Sequence, residues 1–313
     1  MIPNRGQILF FVNEGGAASY GNLVNRARAA DRIRKAVAEQ AGRVREQRGI
    51  EVKLAVILVE GDPASLAYAK AKQRWASRLG IAFEWIRLPS GVTEQELMGI
   101  IDTLNRDDGV HGILLELPLP RHLSSKAIIE AISPWKDVDG LTSSNRLANQ
   151  TGAPGLYPAT PLSCVRLLED YGYELKGRHA VVVGRGETVG MPLLHLLLRK
   201  NATVTVCHSY TPDLSVPLRQ ADFVFAAAGR QGLITKSMVH PDLVAIDAGI
   251  NETDSGELKG DVDSGAILRL QALSPVPGGV GTLTTAILFE NVIKAFELQH
   301  GKKQQNFIRK GGV

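Results

Sequence analysis

Two groupings of residues in this 313-residue chain have the types and spacing that chemistry needs. The first is Tyr68 and Lys72, four positions apart in "ASLAYAKAK". On a helix such positions share a face, so the phenol and the amine project together while Lys70 points elsewhere. A lysine that burial and neighbours can shift towards its neutral form is a candidate proton carrier. The same spacing also suits an ordinary half-buried face where the lysine stem packs and its ammonium stays wet. The second grouping is "VVVGRGETVG", which sets Gly184, Gly186 and Gly190 between an apolar run and a helix-length segment. Glycines let backbone approach a pyrophosphate, and a helix N-terminus adds unpaired N–H groups and the positive end of its dipole.

The elements that must hold these groups are legible from periodicity. Residues 23 to 48 carry apolar positions at helical spacing, and "VKLAVILVEG" is an unbroken apolar run of strand length. The Tyr68 helix follows, then "IAFEWIRLP" as a strand, "TEQELMGIIDTLNRD" as a helix and "VHGILLELPLP" as another buried strand. Such βαβ alternation predicts an α/β fold with a parallel sheet. A Gly/Pro/Asn-rich junction at about 134 to 161 separates this from a second alternation. There "HAVVVG", "ATVTVCHS", "ADFVFAAAG" and "LVAIDAGI" read as strands. The expected organisation is an N-terminal extension (1–20), a substrate domain (21–150) and a Rossmann-like dinucleotide domain (151–283). A helix at 284–299 rejoins the first domain, and a flexible tail (300–313) follows.

Composition narrows the classes. Apolar residues make up 44% and charged ones 22%, as in ordinary globular proteins. Lysine and arginine exceed aspartate and glutamate by 36 − 32 = 4, which points away from nucleic acid and is compatible with small anionic ligands. Cys164 and Cys207 are far apart, so a disulfide scaffold is not expected, and no His/Cys cluster has metal-ligand spacing. No run is long enough to span a membrane, and the expectation is a cytoplasmic protein.

The nucleotide can be narrowed further. NAD binders place Asp or Glu at the end of the second strand, where it would repel a 2′-phosphate. Here that strand ends in Cys207, His208, Ser209 and Tyr210, and Arg185 lies inside the glycine turn, so NADP is favoured. His208 as a plain loop residue and Arg185 as a solvated side chain are the competing readings. Val189 and Ile250 complete the expected cofactor set.

"YAKAK", "GILLELPLP", "KDVDG" and "PVPGGVGTLT" occur together and in order. With the glycine turn they resemble the bifunctional methylenetetrahydrofolate dehydrogenase and methenyltetrahydrofolate cyclohydrolase family, from about Leu23 to Phe296. The resemblance implies two lobes with a cleft between them and a homodimer. It makes Tyr68 the pterin-stacking phenol, Lys72 the cyclohydrolase lysine, Asp139 the acid that grips the pterin, and Pro277, Gly278 and Gly279 part of the substrate turn. Asp139 as a mere turn-former is the bland alternative.

The chain departs from that family at several positions. Glu116 stands where the family has glutamine. An anion beside Lys72 would hold the amine in its ammonium form, so weak or absent cyclohydrolysis is expected, with oxidation better preserved. Gly186 replaces a serine, Ala159 a cysteine, and Thr282 a proline whose loss is expected to loosen its turn. The alternative function is a non-catalytic or altered-substrate paralogue. Glu116 and Thr282 favour that alternative; Tyr68, Lys72 and Asp139 oppose it.

Overall fold

The computed structural model describes residues 26–61, 63–253 and 255–310, and they divide into two compact units. Among the described residues, one comprises 31–159 and 285–310, the other 160–284 together with 26–30. The expected extension at 1–20 and residues 23 to 25 of the first helix lie outside the described residues.

The first unit contains α1 (Arg26–Arg48, apart from its first turn), β1 (Lys53–Val59), α2 (Pro63–Leu79), β2 (Ala82–Leu88), α3 (Glu94–Arg106), β3 (Gly112–Leu115), α4 (Ser125–Ala131) and α5 (Ser143–Thr151). β1 is buried along almost its whole length because helices cover both faces of a central parallel strand, which is why its sequence is a continuous apolar run. It pairs in parallel with β2 on one side and β3 on the other. The chain therefore reverses its direction of travel across the sheet beside β1. That is the switch point where open α/β sheets receive ligands, at the carboxyl ends of the strands. Leu97, Ile101 and Leu104 of α3 lie along one face and are buried. The helix is started by a capping box in which Thr93 and Glu96 exchange hydrogen bonds.

The second unit contains α6 (Ala159–Asp170), β4 (His179–Val183), α7 (Gly190–Arg199), β5 (Thr203–Cys207), α8 (Ser215–Leu218), β6 (Phe223–Ala226), β7 (Val244–Asp247), the short hairpin β8 (Asn251–Glu252) and β9 (Leu258–Lys259), β10 (Ala272–Leu273) and the start of α9 (Val280–Lys310). Five strands form one parallel sheet in the order β10-β7-β6-β4-β5. Counted from the glycine turn this is 2-1-3-4-5, the five-stranded doubly wound order, with β5 at the edge. The Rossmann-like expectation holds as fold class, but among the described residues no strand lies beyond β5 as the six-stranded order would have; the switch point still falls beside β4.

Two expectations are revised. The units part at 159/160 rather than at 150/151, because the junction contains α5, which packs into the first unit. Within it, buried Asn145 donates to Pro134 O and to Asp137 Oδ2 and accepts from Leu156 N. The last helix is longer than 284–299: it starts at Val280, and its backbone is helical through 300–310, where a tail was expected. Two short pairings, the β8–β9 hairpin and β10, had no separate signal, since two residues cannot show a period.

Candidate active site

In the first unit, three elements bring their charged groups to the switch point. α2 leaves the end of β1 and is tied there by buried Ser65, whose hydroxyl donates to Leu117 O at 3.3 Å. One turn apart on α2, Tyr68 is 40% exposed and Lys72 is mostly covered. Glu116 follows the last residue of β3, and its N–H continues the ladder to Ile57 O of β1. Its carboxylate meets the amine of Lys72 with both oxygens, at 2.7 and 2.8 Å. The side chains are 19% exposed for Lys72 and 7% for Glu116, so this is a largely desolvated ion pair rather than a surface one.

Asp139 joins the same cluster from the loop after β3. That loop returns to the sheet through a parallel bridge between Ile113 and Asp137. Asp137 is buried and accepts from Thr142 N and Asn145 Nδ2, so it orders the turn. Asp139, two residues on, is half-buried. Its carboxyl is pushed up to about 6, chiefly by burial; Lys72 pulls it down, and Asp137 and Glu116 push it up. Gly140 lets the chain turn away at φ 69°, where a Cβ would lie 2.6 Å from Leu156 O. α9 fixes the turn from behind: Asn291, buried, donates to Val138 O at 2.9 Å and to Tyr157 O at 2.8 Å. Sequence reasoning missed Ser65, Asp137 and Asn291. "DVD" offered two candidate acids, and nothing in it separates the turn-former from the half-exposed one.

In the second unit, the glycine turn joins β4 to α7. Gly184 has φ 114°, and a Cβ there would lie 2.1 Å from Ala227 O. A Cβ on Gly190 would meet Gly184 O at 2.1 Å, so both positions need glycine for packing. Gly186 is different, since nothing lies within 4 Å of its Cβ position. α7 begins after Val189 without a side-chain cap. Open space above the turn together with an uncapped helix start fits an anionic group held by backbone N–H donors.

The other expected cofactor residues lie at the same carboxyl-end rim of the parallel sheet. His208 and Ser209 follow β5, and Ile250, 55% exposed, follows β7. His208 is engaged locally: its N–H donates to Thr211 Oγ1, and its Nδ1 accepts from Tyr210 N. Arg185 is exposed, and no carboxylate stands among residues 207–210, so the rim is compatible with a 2′-phosphate. Pro277, Gly278 and Gly279 form the turn into α9, apart in sequence from the other substrate residues, and Gly278 has φ 105°. Thr282 does not loosen that turn. Its hydroxyl donates to Gly278 O at 3.2 Å and its N–H to Gly279 O at 3.3 Å, so the replacement adds two ties.

A parallel α/β unit with a lysine–carboxylate cluster at its switch point, joined to a doubly wound unit with a glycine phosphate turn, defines the class of two-domain nucleotide-dependent α/β enzymes. Comparison with known proteins places the chain within that class. Residues 24–139 match the catalytic domain of tetrahydrofolate dehydrogenase/cyclohydrolase, and residues 158–300 match its NAD(P)-binding domain. The "Bifunctional protein FolD" of Heliobacterium modesticaldum is 53% identical over 273 residues, 87% of this chain and 95% of that one. A crystal structure of the bifunctional FolD enzyme from Campylobacter jejuni superposes with a TM-score of 0.84 at 40% identity, covering 88% of this chain and 98% of that one. The Trypanosoma brucei dehydrogenase-cyclohydrolase, solved with NADP cofactor and an inhibitor, gives 0.83 at 32% identity over 88% of this chain and 96% of its own. The chain belongs to the tetrahydrofolate dehydrogenase/cyclohydrolase family.

Proposed function

We propose that the chain oxidises 5,10-methylenetetrahydrofolate with NADP and hydrolyses the methenyl product only slowly, because both carboxylate oxygens of Glu116 engage the Lys72 amine. The observation that carries the second half is the two-oxygen contact of Glu116 with Lys72. The first half rests on family membership and on a glycine turn shaped for an anion.

When bound, NADP supplies the hydride acceptor. The carbon that loses hydride lies between two nitrogens whose lone pairs stabilise the resulting cation, so oxidation needs no strong base. The protein's part is therefore positioning. Asp139, when ionised, is an acceptor suited to the amino and ring N–H groups of a pterin. Tyr68 offers an exposed aromatic face one turn from Lys72, suited to stacking. The Lys72–Glu116 pair adds little net charge beside the developing cation.

Hydrolysis makes different demands. Water adds to the methenyl carbon, a proton leaves that water, and one ring nitrogen accepts a proton as its bond to carbon breaks. A neutral amine could take the first proton and return it to the nitrogen. An amine engaged by both oxygens of a carboxylate is not free to do so. Glu116 could in principle accept the proton itself, but both its oxygens face Lys72.

Assaying both steps on purified protein tests this reading. Methenyl product should form from methylenetetrahydrofolate and NADP, and its hydrolysis should lag behind its formation. Homodimeric assembly is proposed by resemblance, and cytoplasmic residence from the two free cysteines, Cys164 and Cys207. Among the described residues no helix is long and apolar enough to cross a membrane. Light scattering on the purified chain checks the assembly, and a monomer mass would remove the dimer.

A further inference from the structure

The second unit holds a carboxylate that the reaction does not use. Asp261 is fully buried, at 0% exposure, yet it is filled with donors. Its Oδ2 accepts from Ala228 N at 2.6 Å and Gly229 N at 2.9 Å, and its Oδ1 accepts from Arg230 N at 2.8 Å and Asn251 Nδ2 at 3.0 Å. Three consecutive backbone N–H groups converging on one anion form a nest, a concavity that in other loops takes a ligand's phosphate. Here the chain's own carboxylate occupies it, so the loop after β6 is locked internally.

That loop is also the support under the glycine turn. Ala227 N donates to Val183 O, the last carbonyl of β4, and Ala227 O lies against Gly184 so closely that no Cβ would fit. Moving residues 227–230 therefore moves the first glycine of the phosphate turn. Asp261 is in turn fixed by a second carboxylate, Asp247 at the end of β7, which accepts Gly249 N, Asp261 N and Val262 N. Gly249 makes room for this arrangement, since a Cβ there would lie 2.3 Å from the Asp261 carboxylate.

We propose that Asp261 is a positioning residue for the nucleotide site: it sets the loop at 227–230, which sets the height of the glycine turn without itself touching the cofactor. The inference rests on the NADP reading above. The neutral replacement Asp261→Asn turns one acceptor oxygen into a donor that faces other donors, whichever way the amide lies.

The experiment measures NADP affinity by calorimetry, together with KM for NADP and kcat, for the wild type, Asp261→Asn and Gly229→Ala. Gly229 has φ 62° with open space around its Cβ position, so alanine strains the nest without a clash or a change at Asp261. Both variants should weaken NADP binding and raise its KM, about ten-fold or more for Asp261→Asn and several-fold for Gly229→Ala. Saturating NADP should restore kcat to within about two-fold, and KM for the folate should hold steady. A folded Asp261→Asn protein with wild-type NADP affinity overturns the proposal. If that variant fails to fold, Gly229→Ala decides, and unchanged NADP affinity there overturns it equally. A lower melting temperature with no change in NADP affinity also refutes it, because that is a purely structural role. Failure of the wild type to bind NADP would instead refute the cofactor reading itself.

Discussion

Replacing Glu116 by glutamine should restore hydrolysis. The carboxylate contacts the Lys72 amine at 2.7 and 2.8 Å, with side-chain exposures of 7% and 19%. With the amine 2.7 and 2.8 Å from the two carboxylate oxygens and an effective dielectric of about 20, the gross attraction is about 5–6 kcal/mol. Desolvating both ions offsets a good part of that. A net cost of about 1.5–3 kcal/mol for parting the pair remains, and each 1.4 kcal/mol is worth about a factor of ten in rate. Glu116→Gln should therefore raise the cyclohydrolase rate about 10- to 100-fold, while the dehydrogenase rate changes less than about three-fold. The assay follows loss of the methenyl absorbance for hydrolysis and its appearance with NADP for oxidation, on the same preparation. A hydrolysis rate within two-fold of the wild type, in a folded variant with intact oxidation, would refute the reasoning that the ion pair restrains Lys72.

Other outcomes follow from the same geometry. Lys72→Met should remove residual hydrolysis and, by leaving Glu116 buried without its partner, destabilise the protein by about 1–3 kcal/mol; adding Glu116→Gln should recover most of that loss in a denaturant titration. If ionised Asp139 binds the pterin, kcat/KM for the folate should fall below about pH 6, where this carboxyl takes up a proton, and the midpoint should move to lower pH in Glu116→Gln, since one of the charges that raise it is gone. Because its pKa is raised on folding, Asp139 favours the folded state below its unfolded value near 3.8, and that contribution is lost as pH rises through about 6. Asp139→Asn should thus lose folate binding yet raise the melting temperature more at pH 7 than at pH 4. Gly186→Ser, with nothing within 4 Å of the new Cβ, should fold normally and lower KM for NADP several-fold by adding a hydroxyl beside the turn.

What could be read in the sequence was whatever has a period or a fixed local pattern. β1 and β4 announce themselves as apolar runs because central parallel strands are covered on both faces. Tyr68 and Lys72 are visible because helical spacing alone puts them on one face, and the glycine turn is visible because backbone packing forbids a Cβ at two of its positions. The meaning of Glu116 was also legible, as a charge opposite an amine, once the two segments were assigned to one site. The hidden parts depend on contacts between residues distant in the chain. Asp137 and Asp139 look alike in "DVD", and only the donors from Thr142 and Asn145 make the first a structural acid. α5 lies in a stretch rich in Gly, Pro and Asn, and its place is set by one buried asparagine with three partners. Thr282 read as a loosened turn because a lost proline is obvious, whereas the two new hydrogen bonds are not. Asp261 sits 31 to 33 residues from the N–H groups it gathers, beyond any local signal.

The most direct test of the central claim is a single progress curve. Purified chain is mixed with NADP and 5,10-methylenetetrahydrofolate, with NADPH and methenyl absorbance recorded together. Both bands should rise in step, and the methenyl band should then decay little faster than it does without enzyme. Absence of NADPH formation, or methenyl that is hydrolysed as fast as it forms, would contradict that claim.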